Sequence, residues 1–263
     1  MLLLNDLLMS NKLKISIITV SFNSEETIKH TIESVLSQTY TNIEYIIIDA
    51  ASTDNTVSII KSYSDKISYF ISEKDQGIYY GMNKGLHAAN GDIVGILNSD
   101  DRYSNINVIS DVVRSFESNS CDTVFGDLVY VDQFSNKIIR YWKSGNFNYN
   151  SIRKGWMLPH PTFFVRKDIY NKYGFYSEDL KIASDYEMMI RLLYKNKCSS
   201  YYIKKTLVEM RNGGFSNQSY LNRLKANSED VLAWKLNGLN PPLFLRIFKP
   251  LRKLTQFFKR PTL

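Results

Sequence analysis

The chain has 263 residues, with 33 Lys and Arg against 26 Asp and Glu, a formal net charge of +7, and 44% hydrophobic residues. This usage excludes a disordered, collagenous or coiled-coil chain, and the length suits one large domain or one domain with an appendage. Two cysteines, Cys121 and Cys198, are too few for a disulfide framework or a cysteine zinc site, so a reduced, cytoplasmic setting is expected. No apolar run reaches the ~18–20 residues of a spanning helix. The opening Met1-Leu2-Leu3-Leu4-Asn5-Asp6 lacks the basic flank of a signal peptide.

The first half alternates between two periodicities. Lys14 to Val20 reads as a buried strand, followed by a turn at Ser21-Phe22-Asn23-Ser24. Asn23 or Ser24 is placed to cap a helix through Ile28, Ile32, Val35 and Leu36, with Glu25 and Glu26 in its first turn, where the helix dipole favours acids. Ile43 to Asp49 is a second strand. A Ser52-Thr53-Asp54 cap then leads to a helix through Val57, Ile59 and Ile60. Ile67 to Ile71 is a short strand, 78–90 a helix stopped by Gly91, and Asp92 to Leu97 a strand ending in Asn98-Ser99-Asp100-Asp101. Beyond about residue 120, Thr123–Val131 and Lys137–Trp142 alternate as antiparallel strands, and helices are expected over Ser184–Lys195 and Leu221–Leu236.

Strands alternating with helices predict an α/β fold with a mostly parallel sheet flanked by helices. Ligands gather beyond the carboxyl ends of such strands. Three polar clusters fall there: Thr19-Val20-Ser21-Phe22-Asn23, Asp49-Ala50-Ala51-Ser52 and Asn98-Ser99-Asp100-Asp101. Two adjacent carboxylates after an apolar strand are costly without a cation, hydrogen bonds or water. A divalent metal with hard oxygen ligands meets that need, with a substrate diphosphate completing its coordination. A turn and helix cap is the plainer alternative. A P-loop, a Gly-x-Gly-x-x-Gly dinucleotide turn and a Gly-x-Ser-x-Gly elbow are all missing from the sequence.

These residues carry a resemblance. Residues 17–23, Ile48-Asp49-Ala50-Ala51-Ser52-Thr53-Asp54-Asn55-Thr56 and Asn98-Ser99-Asp100-Asp101 resemble the nucleotide-sugar half of family two glycosyltransferases, which adopt the Rossmann-like GT-A fold. Residues 73–85 and Pro159-His160-Pro161-Thr162-Phe163-Phe164-Val165-Arg166 are similar to the subgroup that builds bacterial surface polysaccharides. Ala183-Ser184-Asp185-Tyr186-Glu187 resembles the acceptor-side acidic motif. The resemblance covers about residues 13–210. It implies that Asp101 ligates Mg2+ or Mn2+ on the donor diphosphate and that Asp100 lies near ribose and diphosphate. It also implies that Thr19, Ser21, Asn23 and Asp49 hold the nucleoside, with Asp75 on the same wall, and that Asp185 is the general base. Ala50 and Asn98 stand where the family often has acids, and Tyr80 where the subgroup often has Asp.

The expected organisation is an extension over 1–12 and a catalytic domain over 13–215, divided into a nucleotide-sugar half (13–103) and an acceptor half (104–215). A helical, basic C-terminal extension covers 216–263. His160, held between two prolines, is a candidate diphosphate or metal contact or a loop histidine with a backbone partner. Lys84 is a candidate diphosphate contact or a solvated lysine, and Trp156 an acceptor wall or core. Arg211-Asn212-Gly213-Gly214-Phe215-Ser216 is a closing lid or an ordinary connection. From Pro241 the chain carries Arg246, Lys249, Arg252, Lys253, Lys259 and Arg260, no acid, and apolar residues at helical spacing interrupted by Pro250. That pattern suits contact with an anionic membrane surface, or packing on the body. A nucleic-acid partner is not expected.

The function expected is inverting, metal-dependent transfer of a sugar from a nucleotide-sugar donor, a UDP-sugar by preference, to a saccharide acceptor on a polyprenyl lipid. A sugar nucleotidyltransferase and a catalytically silent nucleotide-sugar-binding protein are the rival readings.

Overall fold

The structure, a computed structural model, describes residues 12–132, 135, 137–211, 220–243, 245 and 256, with backbone alone at 220–225. Among these residues nine strands form one sheet. Strands β1 (Ile15–Ser21), β2 (Ile43–Asp49), β3 (Tyr69–Ser72) and β4 (Ile93–Ile96) lie in the order β3-β2-β1-β4, all parallel. The crossovers between them are helices α1 (Ile28–Leu36), α2 (Thr56–Lys61) and α3 (Ile78–Ala88). Every residue of β1 is buried. Ile15 and Ile17 face a core with α1, whereas Ile18 and Val20 face a second core with α3. Two covered faces explain why these strands read as unbroken apolar runs rather than alternating ones.

The second half is mixed. Strand β8 (Phe164–Arg166) runs antiparallel to β4 and to β6 (Thr123–Val131). Strand β9 (Ser200–Arg211) is parallel to β6, β5 (Asp101–Tyr103) is antiparallel to β9, and β7 (Ile138–Trp142) is antiparallel to β6. Helices α4 (Val108–Asn119), α5 (Tyr149–Arg153), α6 (Lys167–Tyr173), α7 (Ser184–Met189) and α8 (Tyr220–Leu236) complete the described fold. The helix expected over Ser184–Lys195 changes character part-way. It is α-helical to Met189 and then widens into a π-turn over Ile190–Lys195.

Two expected caps differ. Helix α1 starts at Ile28, after a turn closed by Ser24, and has no acid in its first turn. Asn23 and Ser24 do not cap it by their side chains. Asn23 Oδ1 instead accepts the Thr53 amide at 2.9 Å, and Glu25 accepts the Asn55 amide at 2.9 Å. The polar residues after β1 are thus spent on the neighbouring loop. Asp54 does act as expected, accepting the Thr56 amide at 3.0 Å.

Register places the functional loops. Ser21 is level with Asp49, and Asp49 with Ser72, so three strand ends finish in one row. Gly95 pairs with Phe164 across the antiparallel β4–β8 contact, which sets residues just before β8 beside those just after β4. A Cβ at Gly95 would stand 2.4 Å from the Phe164 ring. Overpacking of this kind costs about 1–3 kcal/mol. Gly95→Ala is therefore expected to lower the unfolding free energy by about 1–3 kcal/mol, read as a lower urea midpoint. An unchanged midpoint would contradict the close approach.

Candidate active site

The site starts from the loop after β4. Asp101 opens β5, and only 1% of its surface is exposed. Burial pushes its carboxyl well above the usual carboxylate range, and the charge of adjacent Asp100 pushes the same way. Asp100 is half-buried; burial raises its carboxyl too, against the pull of His160 and Arg211. The loop is pinned from beneath by Thr31 of α1, whose hydroxyl donates to the Ser99 carbonyl at 2.9 Å and the Asp101 carbonyl at 2.7 Å. Ser24 and Ser99 hydroxyls, 2.8 Å apart, tie it to the β1 loop.

His160 stands across from this loop. It opens a 3-10 turn, His160–Thr162, preceded by Pro159 in an extended conformation. Thr162, fully buried, locks the turn by donating to the Gly126 and Pro159 carbonyls. The imidazole Nδ1 lies 3.3 Å from Asp185 Oδ2, and Nε2 lies 3.4 Å from Asn98 Nδ2. Asn98 Nδ2 is also 3.4 Å from Asp101 Oδ2. The four side chains therefore make one contiguous cluster, Asp101–Asn98–His160–Asp185.

Hydrogen-bond logic assigns the protons. An ionised carboxylate only accepts, so a hydrogen on Nδ1, the nitrogen facing Asp185, is the one matched there. Nε2 is then the acceptor for the Asn98 amide. A flipped Asn98 would set its oxygen against the Asp101 carboxylate, acceptor to acceptor. The orientation that avoids this leaves Asn98 Oδ1 and Asp101 Oδ1 buried with no donor. Two buried, unmatched acceptor oxygens beside a second carboxylate, Asp100, suit a hard cation. Among the described residues no group of three His, Cys, Asp or Glu side chains could hold a metal unaided.

The other expected residues form a second, adjoining wall. Asp49 is fully buried and accepts four hydrogen bonds, from the Ser21 hydroxyl (3.0 Å), the Ser52 amide (2.9 Å), the Ser52 hydroxyl (2.5 Å) and the Ser72 hydroxyl (2.6 Å). These fill its lone-pair capacity, so it orders the loops rather than presenting a free oxygen. The Ser52 hydroxyl in turn accepts the Asn23 amide at 2.8 Å. Asn23 is exposed with φ +46°, a left-handed conformation that Asn tolerates. Thr19 has no exposed surface, and its hydroxyl meets the Tyr45 hydroxyl at 3.1 Å inside the core. Its side chain lies beneath the wall. Asp75 accepts the Gly77 amide at 3.0 Å ahead of α3 and lies 3.2 Å from where a Cβ on Gly81 would be.

Several plainer alternatives prevail. Lys84 pairs with Glu73 at 2.8 Å. Trp156 is buried, donates to the Ser144 carbonyl at 2.9 Å and packs on Phe125 and Phe147, so it belongs to the core. Glu187 is clamped by Arg191 and Asn237. The lid residues after Arg211 and the basic tail, apart from residues 241–243, Leu245 and Gln256, lie outside the described residues.

Sequence reasoning missed Phe22 and Thr31. Phe22 is 61% exposed between buried Ser21 and exposed Asn23, which leaves an aromatic face at the rim. Thr31 was legible as a polar residue on the apolar face formed by Ile28, Ile32 and Val35.

With this geometry in place, the likeness to known proteins becomes informative. The pattern described as Glycosyl transferase family 2 matches residues 16–180. The chain belongs to that family. An uncharacterized glycosyltransferase of Mycobacterium tuberculosis is 31% identical over 186 residues, 67% of this chain and 68% of that protein. An Escherichia coli relative, UDP-Glc:alpha-D-GlcNAc-diphosphoundecaprenol beta-1,3-glucosyltransferase WfgD, is 27% identical over 71% of this chain and 72% of its own length. Among solved structures, Staphylococcus aureus TarS 1-349 in complex with UDP-GlcNAc superimposes with a TM-score of 0.68 at 19% identity. The match covers 85% of this chain but only 65% of that one. The mannosyltransferase PcManGT of Pyrobaculum calidifontis, in complex with GDP-Man and Mn2+, gives a TM-score of 0.66 at 15% identity, over 94% and 74% of the two chains. These neighbours share the GT-A-type fold expected from the family resemblance.

The buried acidic pair has a measurable cost. A carboxyl whose folded value lies above its unfolded value of about 4 contributes stability below that value and loses it as pH rises through the folded one. Removing the charge at pH 7 in EDTA is therefore stabilising. Asp101→Asn is expected to raise Tm under these conditions. A lower Tm for the variant would contradict the burial argument.

Proposed function

We propose that this family 2 member is an inverting, metal-dependent glycosyltransferase that moves a sugar from a nucleotide-sugar, a UDP-sugar by preference, to a saccharide acceptor on a polyprenyl lipid. The observation that carries this reading is the cluster joining Asp101 to Asp185 through Asn98 and His160. A donor-side acidic pair and an acceptor-side base must flank one anomeric carbon, and His160 with Asn98 links the two sides here.

Each residue then has a role. Phe22 offers the nucleobase an aromatic face, an arrangement worth about 1–3 kcal/mol per stacked base. Ser21, Asn23 and Asp75 line the nucleoside wall, ordered by Asp49, with Thr19 supporting them from within. Asp100 lies toward ribose and diphosphate. Asp101, with Asn98 Oδ1, would hold Mg2+ or Mn2+. The ion, when bound, neutralises charge on the leaving diphosphate. The Mn2+ complex of the archaeal neighbour supports a divalent ion without naming which one this chain uses.

Asp185, at the start of α7, takes the proton of the acceptor hydroxyl. The hydroxyl oxygen bonds to the anomeric carbon from the face opposite the diphosphate. The bond from that carbon to the phosphate oxygen breaks, its electrons leave with the nucleotide, and the configuration inverts. His160 fixes the Asp185 carboxylate through Nδ1, as an orienting donor fixes a general base. A lipid-diphosphate acceptor is supported by the name of the Escherichia coli relative. No helix among the described residues is long and apolar enough to cross a membrane. The basic tail after Pro241 is the segment we assign to an anionic membrane face, with the body on its cytoplasmic side.

The test uses UDP-glucose and UDP-GlcNAc with Mn2+ and a synthetic alkyl-diphosphate GlcNAc acceptor. Release of UDP with a lengthened acceptor is expected; release of pyrophosphate would indicate nucleotidyl transfer instead. Asp185→Asn should keep donor affinity and lose transfer ~10²–10⁴-fold, the usual worth of general base catalysis. Near-normal transfer would remove Asp185 as the base. Truncation after residue 240 is expected to abolish co-sedimentation with phosphatidylglycerol vesicles, and undiminished co-sedimentation would remove the membrane role of the tail.

A further inference from the structure

The turn that carries Asp185 is held by a residue far away in the chain. Glu229 lies on α8, and only 7% of its surface is exposed. One of its oxygens, Oε2, accepts three consecutive backbone amides: Lys181 at 3.1 Å, Ile182 at 2.7 Å and Ala183 at 3.0 Å. Ala183 is the residue before α7, and Asp185 is the second residue of that helix. Within α7, Asp185 Oδ1 accepts the Tyr186 amide at 2.8 Å. The turn ahead of the helix is held from another helix, by Glu229.

Other contacts restrict the same turn. The Tyr79 hydroxyl of α3 donates to the Ile182 carbonyl at 2.8 Å, so the peptide groups are gripped at both their donors and an acceptor. Helix α8 and the residue after it also hold the next residues, with Trp234 Nε1 3.2 Å from the Tyr186 hydroxyl and Asn237 Nδ2 3.0 Å from Glu187 Oε1. Glu229 differs from these. Of the three it is the one that bonds the backbone ahead of Asp185, and hydrogen bonds to an ionised acceptor are roughly twice as strong as neutral ones.

We infer that Glu229 is a positioning residue for Asp185: its buried carboxylate fixes the three peptide groups from which the base projects toward His160 and the acceptor. The inference rests on the reading of Asp185 as the base. A base must sit within hydrogen-bond reach of its proton, and a misplacement of about 1 Å can cost ~10²-fold in rate.

The experiment measures kcat in the UDP-sugar assay above and donor affinity by calorimetry with UDP and Mn2+. Glu229→Ala is expected to lower kcat ~100-fold with UDP affinity unchanged within about 2-fold. Glu229→Gln keeps an acceptor of equal reach without the charge, and an intermediate loss of ~10-fold is expected. It also decides the matter if the alanine variant does not fold. In an Asp185→Asn background Glu229→Ala should add no further loss, because both changes act through one group. Parallel losses of affinity and kcat, an equal added loss in both backgrounds, or wild-type kcat in a folded Glu229→Gln protein would each overturn the inference. If Asp185→Asn alone transfers near-normally, the base assignment fails, and this role for Glu229 fails with it.

Discussion

One imidazole organises the site. His160 meets Asp185 on one nitrogen and Asn98 on the other, and Asn98 meets Asp101. Because a neutral histidine has one donor and one acceptor, its tautomer fixes the polarity of the whole row. The donor faces the carboxylate, the acceptor faces the amide, and the amide oxygen is left facing the buried acid. The unmatched oxygens on Asn98 and Asp101 follow from that arrangement and are not an isolated oddity. The row therefore links the place where a cation would sit to the place where a proton would be taken.

The fold supplies the rigidity this requires. Parallel strands β1, β2 and β3 end level, so one carboxylate, Asp49, can gather Ser21, Ser52 and Ser72. Antiparallel pairing of β8 with β4 carries His160 back to the loop that holds Asn98. Thr31, from a helix of the first half, holds that loop, and Glu229, from the last described helix, holds the turn before Asp185. Elements spread along the described chain thus converge on a few side chains. Asp101 itself is electrostatically unfavourable where it stands, which is the common signature of a residue kept for chemistry rather than stability.

The sequence made much of the first half legible for a simple reason. Strands covered on both faces are continuous apolar runs, and the helices between them show one apolar face, so β1, β2 and α3 could be placed within a residue or two. The polar residues at strand ends could be recognised as a group. Their division of labour could not. Whether Thr19 points into the core or the crevice depends on strand facing, and whether Asp49 is free or saturated depends on Ser72, 23 positions away. The cap expected from Asn23 and the first-turn place expected for Glu25 failed for the same reason, since a neighbouring loop competed for those groups. Residues 160 and 98 meet only because of an antiparallel register that no local pattern encodes. The π-turn after Met189 has no sequence signal that we can name.

The tautomer of His160 is the most direct measurement of this account. The chain has three histidines, His30, His87 and His160, so imidazole nitrogen resonances can be assigned by single substitutions. Nitrogen-15 NMR at neutral pH should find the proton of His160 on Nδ1 and an unprotonated Nε2, and should lose that preference in Asp185→Asn. A proton resident on Nε2 would break the row between Asp101 and Asp185 and contradict the account at its centre.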